Sequence, residues 1–163
     1  MRENAPQECH MSSSQISCPA IAEQHLVYDG WYKLHRVVLQ WPDGVQFERH
    51  ILDNGSAVAV LPYDAERRMC LLVSQPRAPV IAAGHKPILE AIAGNLDGAL
   101  PADKIMDEAF EEAGVVLSEL EEISTIWSLC PVSTERIALY LAPYRASSRR
   151  GPGGGACDED RRN

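Results

Sequence analysis

The stretch Ala93-Gly94-Asn95-Leu96-Asp97-Gly98, followed by the run from Pro101 to Ala113 and closed by Gly114, decides how this chain is read. Pro101 suits a first helical position, where the missing N–H costs nothing. Gly114 suits the residue past the helix end, where a left-handed conformation closes the last turn. Between them Ile105, Ala109 and Ala113 recur at i, i+4 and Met106 and Phe110 widen the stripe, so the spacing predicts a helix over 101–113. A second stripe carries Glu108, Glu111 and Glu112. Residues three and four apart share a helix face, so these carboxylates are expected to converge on one edge. Like charges there oppose one another, and the helix dipole disfavours anions toward its C-terminal end. A hard cation removes the conflict, because Mg²⁺ accepts a few carboxylates and keeps waters or substrate phosphates as its other ligands. A solvated acidic face is the plain alternative for the same residues.

Outward from the helix, strand patterns dominate. Residues 32–40 and 45–52 are rich in β-forming side chains and flank Pro42-Asp43-Gly44, which is turn chemistry, so a hairpin is expected. The apolar runs at 57–61 and 68–75 predict strands buried on both faces, with Cys70 in the core. Residues 76–87 hold Pro76, Pro79, Gly84 and Pro87 without periodicity and read as a loop. Residues 88–91 predict a short strand leading to Gly94, and strands follow near 122–129 and 137–144. The segment 149–155 is a basic, glycine-rich loop without the Gly-Lys-Ser/Thr ending of a phosphate-binding P-loop. Residues 1–24 read as a flexible polar extension.

Composition narrows the function classes. The chain has 163 residues and a formal charge of -8, enough for one domain with a core and poorly suited to nucleic acid. The five cysteines are widely spaced with no CxxC, which fits reduced thiols in the cytoplasm. No apolar run is long enough for a membrane span. His10, His25, His35, His50 and His85 show no metal-ligand spacing.

The run Glu108-Ala109-Phe110-Glu111-Glu112-Ala113-Gly114-Val115, preceded by Gly94, resembles the Nudix box, in which a glycine and a spacer lead to Arg-Glu-apolar-x-Glu-Glu-x-Gly-apolar. Outlying segments resemble the branch that holds GDP-mannose and ADP-ribose pyrophosphatases. They are residues 49–61, Gln75-Pro76-Arg77, Ile88-Leu89-Glu90, Ser133-Thr134-Glu135-Arg136 and Gly153-Gly154-Gly155, and the likeness covers residues 28 to about 160. The resemblance implies an α/β (α+β) fold, the Nudix α/β/α sandwich with a mixed sheet, spanning residues 25–160 and followed by a tail at 161–163. It implies Mg²⁺, with Mn²⁺ as a substitute, held by the Ala93 carbonyl, Glu108, Glu112 and Glu159. Glu112, Glu159 and Glu111 are the implied catalytic groups. Trp31, Glu48, Arg49, His50, Arg77, Gly94, Asn95, Glu135 and Asp158 are the implied substrate contacts, with Trp31 and residues 48–50 reaching the site of a partner in a homodimer. The substrate class is a nucleotide sugar or ADP-ribose, cut at its diphosphate.

Five departures from the family pattern stand beside the likeness. Asp107 replaces the box arginine that orients the glutamates, Ala99-Leu100 stand where an early glutamate belongs, and Asn54 replaces a basic residue. The Gly94 to Gly114 spacing is one residue short of the general pattern, as in the GDP-mannose branch. Relatives continue with a strand and a helix that Arg161-Arg162-Asn163 does not resemble, so a truncated C-terminal part is expected. A nucleotide-binding domain without turnover is therefore the rival expectation.

Overall fold

The hairpin expected around Pro42-Asp43-Gly44 is the centre of a three-stranded sheet. In the computed structural model, which describes residues 17–154, strands β1 (Ala20–Asp29), β2 (Lys33–Gln40) and β3 (Gln46–Asp53) pair antiparallel in that order. Trp41 N–H donates to Val45 O and Gly44 N–H to Trp41 O, both at 2.9 Å, which fixes the β2–β3 register. β1 begins inside the stretch expected to be a flexible extension, so residues 20–24 are strand. Its composition gives no clean alternation, and its pairing with β2 is what orders it. All ten of its residues are exposed, and Val37 is the one fully buried side chain of the sheet.

Asn54-Gly55 carries the chain from β3 into the second sheet. Strand β4 (Ser56–Asp64) pairs parallel with β10 (Arg136–Pro143), and β9 (Glu121–Trp127) pairs antiparallel with β10. The other edge of β4 is shared by β8 (Ile92–Asn95) and β5 (Met69–Cys70). A parallel pair needs a crossover, and the connection from β4 to β10 contains the long helix α2 (Pro101–Ala113). The helix boundaries match the expectation, with Pro101 opening it and Gly114 capping it at φ 67.

α2 packs on β8 and β4. Ile105, Ala109 and Ala113 meet Val58, Val60, Ile92, Ala138, Tyr140 and Ala142 in the core. Met106 and Phe110, expected to widen this face, are exposed instead, because the apolar stripe is only as wide as the narrow β8–β4 surface beneath it. The opposite face of the sheet is less covered. Ala59, Leu61, Leu139 and Leu141 are half-buried and, with exposed Ile123, line an apolar groove of 270 Å³. Among the described residues α2 is the single long helix, so one helical layer of the expected sandwich is seen.

Other expectations need correction. The strand expected over 68–75 is broken into β5 and β6 (Val73–Ser74), and β6 pairs with β7 (Leu89–Glu90) as a separate ribbon. Leu71 N–H turns back to Pro62 O at 2.9 Å between the pieces. Cys70, expected in the core, is exposed at that edge. The loop expected over 76–87 contains a short helix, α1 (Ala78–Ala82), with Pro79 near its start; five residues are too few to show a helical period.

Candidate active site

The site grows from the edge of β8. Leu96 N–H donates to Ser56 O of the β4 edge at 2.9 Å. In an antiparallel pair each residue turns its N–H and C=O to the same side, and successive residues alternate. Ala93 therefore faces the open edge of β8, and its N–H there donates to Glu112 Oε2 at 3.3 Å. Its carbonyl shares that side. Glu112 Oε1 accepts from Gln75 Nε2, which ties α2 to the end of β6. One turn earlier, Glu108 lies against Gly94 so closely that a β-carbon at residue 94 would overlap its carboxyl group. Glycine at 94 is thus required by close approach. Lys104 Nζ reaches Glu108 Oε1 at 2.8 Å.

The three glutamates do not form one cluster. Helical geometry of about 100° per residue sets Glu112 only ~40° from Glu108 and swings Glu111 ~60° to the other side. Glu108 and Glu112 are half-buried toward β8, whereas Glu111 is exposed. Among the described residues no group of three or more His, Cys, Asp and Glu side chains is arranged to hold a metal. What is present is a two-carboxylate edge beside a backbone carbonyl. That hard-oxygen donor set fits a cation that keeps several waters or phosphate oxygens, and the missing side chain at Gly94 lets the Glu108 carboxyl reach the β8 backbone. Glu159 and Asp158, the remaining implied acids, lie outside the described residues.

Burial pushes the Glu112 carboxyl above its ordinary range, against hydrogen bonds from Gln75 and Ala93 that lower it; the nearby Glu108 charge raises it and Arg77 lowers it. Lys104 is raised by its hydrogen bond to Glu108, with burial opposing and the charges of Glu108, Glu111 and Asp97 reinforcing. Arg77 caps the start of α1 and its Nε donates to Glu90 Oε2 at 2.8 Å. A cavity of 260 Å³ opens beside Glu112, lined by Ser74, Gln75, Pro76, Arg149 and Gly154 among others. The glycine-rich segment, expected as a loop, is anchored there. Arg150 and Gly151 N–H both donate to Gly114 O, at 2.7 and 3.0 Å, and Gly154 N–H donates to Glu112 O at 2.9 Å. A side chain at Gly114 would strike Gly151, so this docking needs the glycine twice, for its positive φ and for its size.

A second polar cluster sits where β3 hands over to β4. Asn54 Nδ2 donates to Glu135 Oε1 at 2.6 Å, Ser133 Oγ donates to Asn54 Oδ1 at 2.8 Å, and Glu135 N–H donates to Ser133 Oγ at 3.0 Å. The ring fixes the Glu135 carboxylate. Asn95 and Asn54 border a cleft of 400 Å³ that continues along Asp97, Gly98 and Ala99. Arg49 and His50 line a separate cavity with Ser133 and Thr134. Glu48 is paired with Arg36 at 2.9 Å on the sheet surface. Trp31 is 85 % exposed at the β1–β2 turn. The structure brings Ala93, Gly94, Glu108, Glu112 and Arg77 together, sets Asn95 and Glu135 around the handover, and leaves Trp31 and Glu48 on the N-terminal sheet. Gln75, Glu90, Asn54 and Lys104 are site neighbours that the site assignment from sequence left out. For Lys104 the i, i+4 spacing to Glu108 was a legible signal; Gln75 meets Glu112, and Glu90 meets Arg77, only through tertiary packing.

No family model matches the chain. Its fold is that of a crystal structure of an ADP compounds hydrolase, with a TM-score of 0.68 at 17% identity over 86% of this chain and 75% of that one. In sequence, a protein of Pectobacterium atrosepticum is 34% identical over 146 residues, covering 86% of this chain and 76% of the relative. The chain belongs to the Nudix hydrolase superfamily. The Pectobacterium relative is a GDP-mannose pyrophosphatase, and so is a relative from Escherichia coli, 29% identical over the same share.

Proposed function

We propose that this enzyme hydrolyses the diphosphate bridge of a nucleoside diphosphate sugar of the GDP-mannose kind, releasing a nucleoside monophosphate and a sugar phosphate. The observation that carries this reading is the approach of Glu108 and Glu112 from consecutive helical turns onto Ala93-Gly94, with Arg77 alongside. Glu108, Glu112 and the Ala93 carbonyl would hold Mg²⁺ or Mn²⁺, with Glu159 as the further carboxylate. A bound dication supplies charge neutralisation at the phosphates and activation of water. Arg77 exchanges its Glu90 partner for a substrate phosphate, a charge-assisted contact that orients the bridge. Glu159 takes the proton of the attacking water, whose oxygen bonds to one phosphorus as the bridging P–O bond breaks; Glu111, exposed and turned off the β8 face, does not serve that step. Glu135, held by Asn54, and Asn95 contact the substrate from the handover cleft. Gly94 lets the Glu108 carboxyl close onto the β8 backbone.

In this reading the exposed N-terminal sheet pairs with a second copy, and Trp31, Glu48, Arg49 and His50 reach the partner's substrate. ADP-ribose is the competing substrate, since the fold also serves an ADP compounds hydrolase. A cytoplasmic setting is in keeping with three exposed free thiols among the described residues, Cys18, Cys70 and Cys130. No helix among them is long and apolar enough to cross a membrane.

Glu112→Gln tests the proposal. Turnover with Mg²⁺ should fall by more than ~100-fold, beyond the 10–100-fold typical of a lost outer-shell partner, while the melt stays cooperative. Unchanged turnover overturns it.

A further inference from the structure

We propose that Lys104 is the positioning cation of this site: its ammonium holds the Glu108 carboxylate turned onto Ala93-Gly94, the task that acidic Asp107 cannot perform. The inference rests on the reading of Glu108 as a metal ligand. Lys104 Nζ lies 2.8 Å from Glu108 Oε1, and the two side chains keep only 25% and 13% of their surface exposed. The three Arg–Glu pairs among the described residues are more open: Arg36–Glu48, Arg77–Glu90 and Arg145–Glu66 keep 39%/49%, 44%/21% and 74%/79%.

Helix stability does not account for the pair. Lys104 lies four residues into α2, where the positive end of the helix dipole disfavours a cation. Lysine N-terminal to glutamate is also the weaker i, i+4 order. A cation placed against both preferences points to a role in the site. Glu108 Oε1 is the carboxylate atom that lies nearest Gly94, and it is the same oxygen that pairs with Lys104 Nζ, so the ammonium sits on the oxygen turned to β8. Asp107 is exposed and adds a negative charge beside Glu108.

The sign of one measurement separates a positioning ammonium from a bystander. A bystander so near a dication only repels it, so its removal would tighten metal binding. Removal of a positioning ammonium frees the Glu108 rotamer and weakens binding. Mn²⁺ is titrated into the whole folded chain without substrate, and free Mn²⁺ is followed by its paramagnetic resonance signal. Lys104→Met should weaken binding about 10-fold, in the range of a lost outer-shell partner. Lys104→Arg should restore most of it, and both variants should melt near the wild type. Equal or tighter binding by Lys104→Met overturns the inference while leaving the metal-site reading intact. A wild-type chain that binds no Mn²⁺ overturns both. If Lys104→Met does not fold, Lys104→Gln carries the same comparison.

Discussion

The two sheets of this protein are built on opposite terms. The central sheet with α2 encloses the core: Val58, Val60, Ile92, Ile105, Ala109 and Ala142 are essentially removed from solvent. The N-terminal sheet is longer in its strands yet buries fully only Val37, and Ile21, Leu26, Val27, Tyr28 and Trp31 stand in solvent. The carboxylate edge is mounted on the first. Rigid, buried elements hold side chains to the fraction of an ångström that catalytic geometry requires. The exposed sheet can instead offer its surface to another chain. The two are tied at the handover, where Leu52 N–H donates to Val132 O at 2.7 Å and Thr134 N–H donates to Leu52 O at 3.0 Å.

Matched substitutions in the two halves break or sharpen this contrast. The largest effect is expected from carboxylate-to-amide changes: Glu108→Gln should lower kcat by more than ~100-fold, whereas Glu48→Gln should leave kcat alone and act on KM. Steady-state kinetics on the two variants decides it, and equal losses of kcat would dissolve the division. Truncation comes next. Ile105→Ala removes a fully buried side chain and should cost about 2–5 kcal/mol. Val27→Ala on exposed β1 should stay within ~0.5 kcal/mol in denaturant unfolding of the monomer. A smaller effect is expected at Trp31. If it stacks on the substrate base in a partner's site, Trp31→Ala should raise KM about 10-fold, within the ~1–3 kcal/mol of a base–aromatic stack, and dilution below the dimer dissociation constant should reproduce that loss in the wild type.

The smallest expected effect is a pH slope. Burial raises Glu112 from its ordinary value of 4.5, so metal-free native protein keeps a proton that the unfolded chain has released. In the window just above that value the native state binds more protons, and stability falls as pH rises through it. Melts of Glu112→Gln across the same window should lack this component. The reverse slope would mean that the Gln75 and Ala93 hydrogen bonds outweigh burial.

The sequence carried α2 to the residue because its signals are local: a proline at the start, a glycine cap and an apolar repeat between them. The β2–β3 hairpin was legible for the same reason. α1 and the broken β5–β6 segment were not, since five- and two-residue elements have no period and are set by what they pair with. β1 is ordered by β2 rather than by its own pattern. In the site, the shared edge of Glu108 and Glu112 follows from helical spacing, and Gly94 from the resemblance to the Nudix box. Exclusion of Glu111 from the β8 face depends on how α2 is rotated against the sheet, which spacing alone does not specify. Gln75, Glu90 and Asn54 enter through contacts between elements distant in the chain.

The most direct test is product release from GDP-mannose by the wild-type protein, with Mg²⁺ and with chelator. The account predicts a nucleoside monophosphate and a sugar phosphate, formed only with the metal and faster than from ADP-ribose. A folded protein that releases neither product, or that releases them at the same rate in chelator, would contradict it.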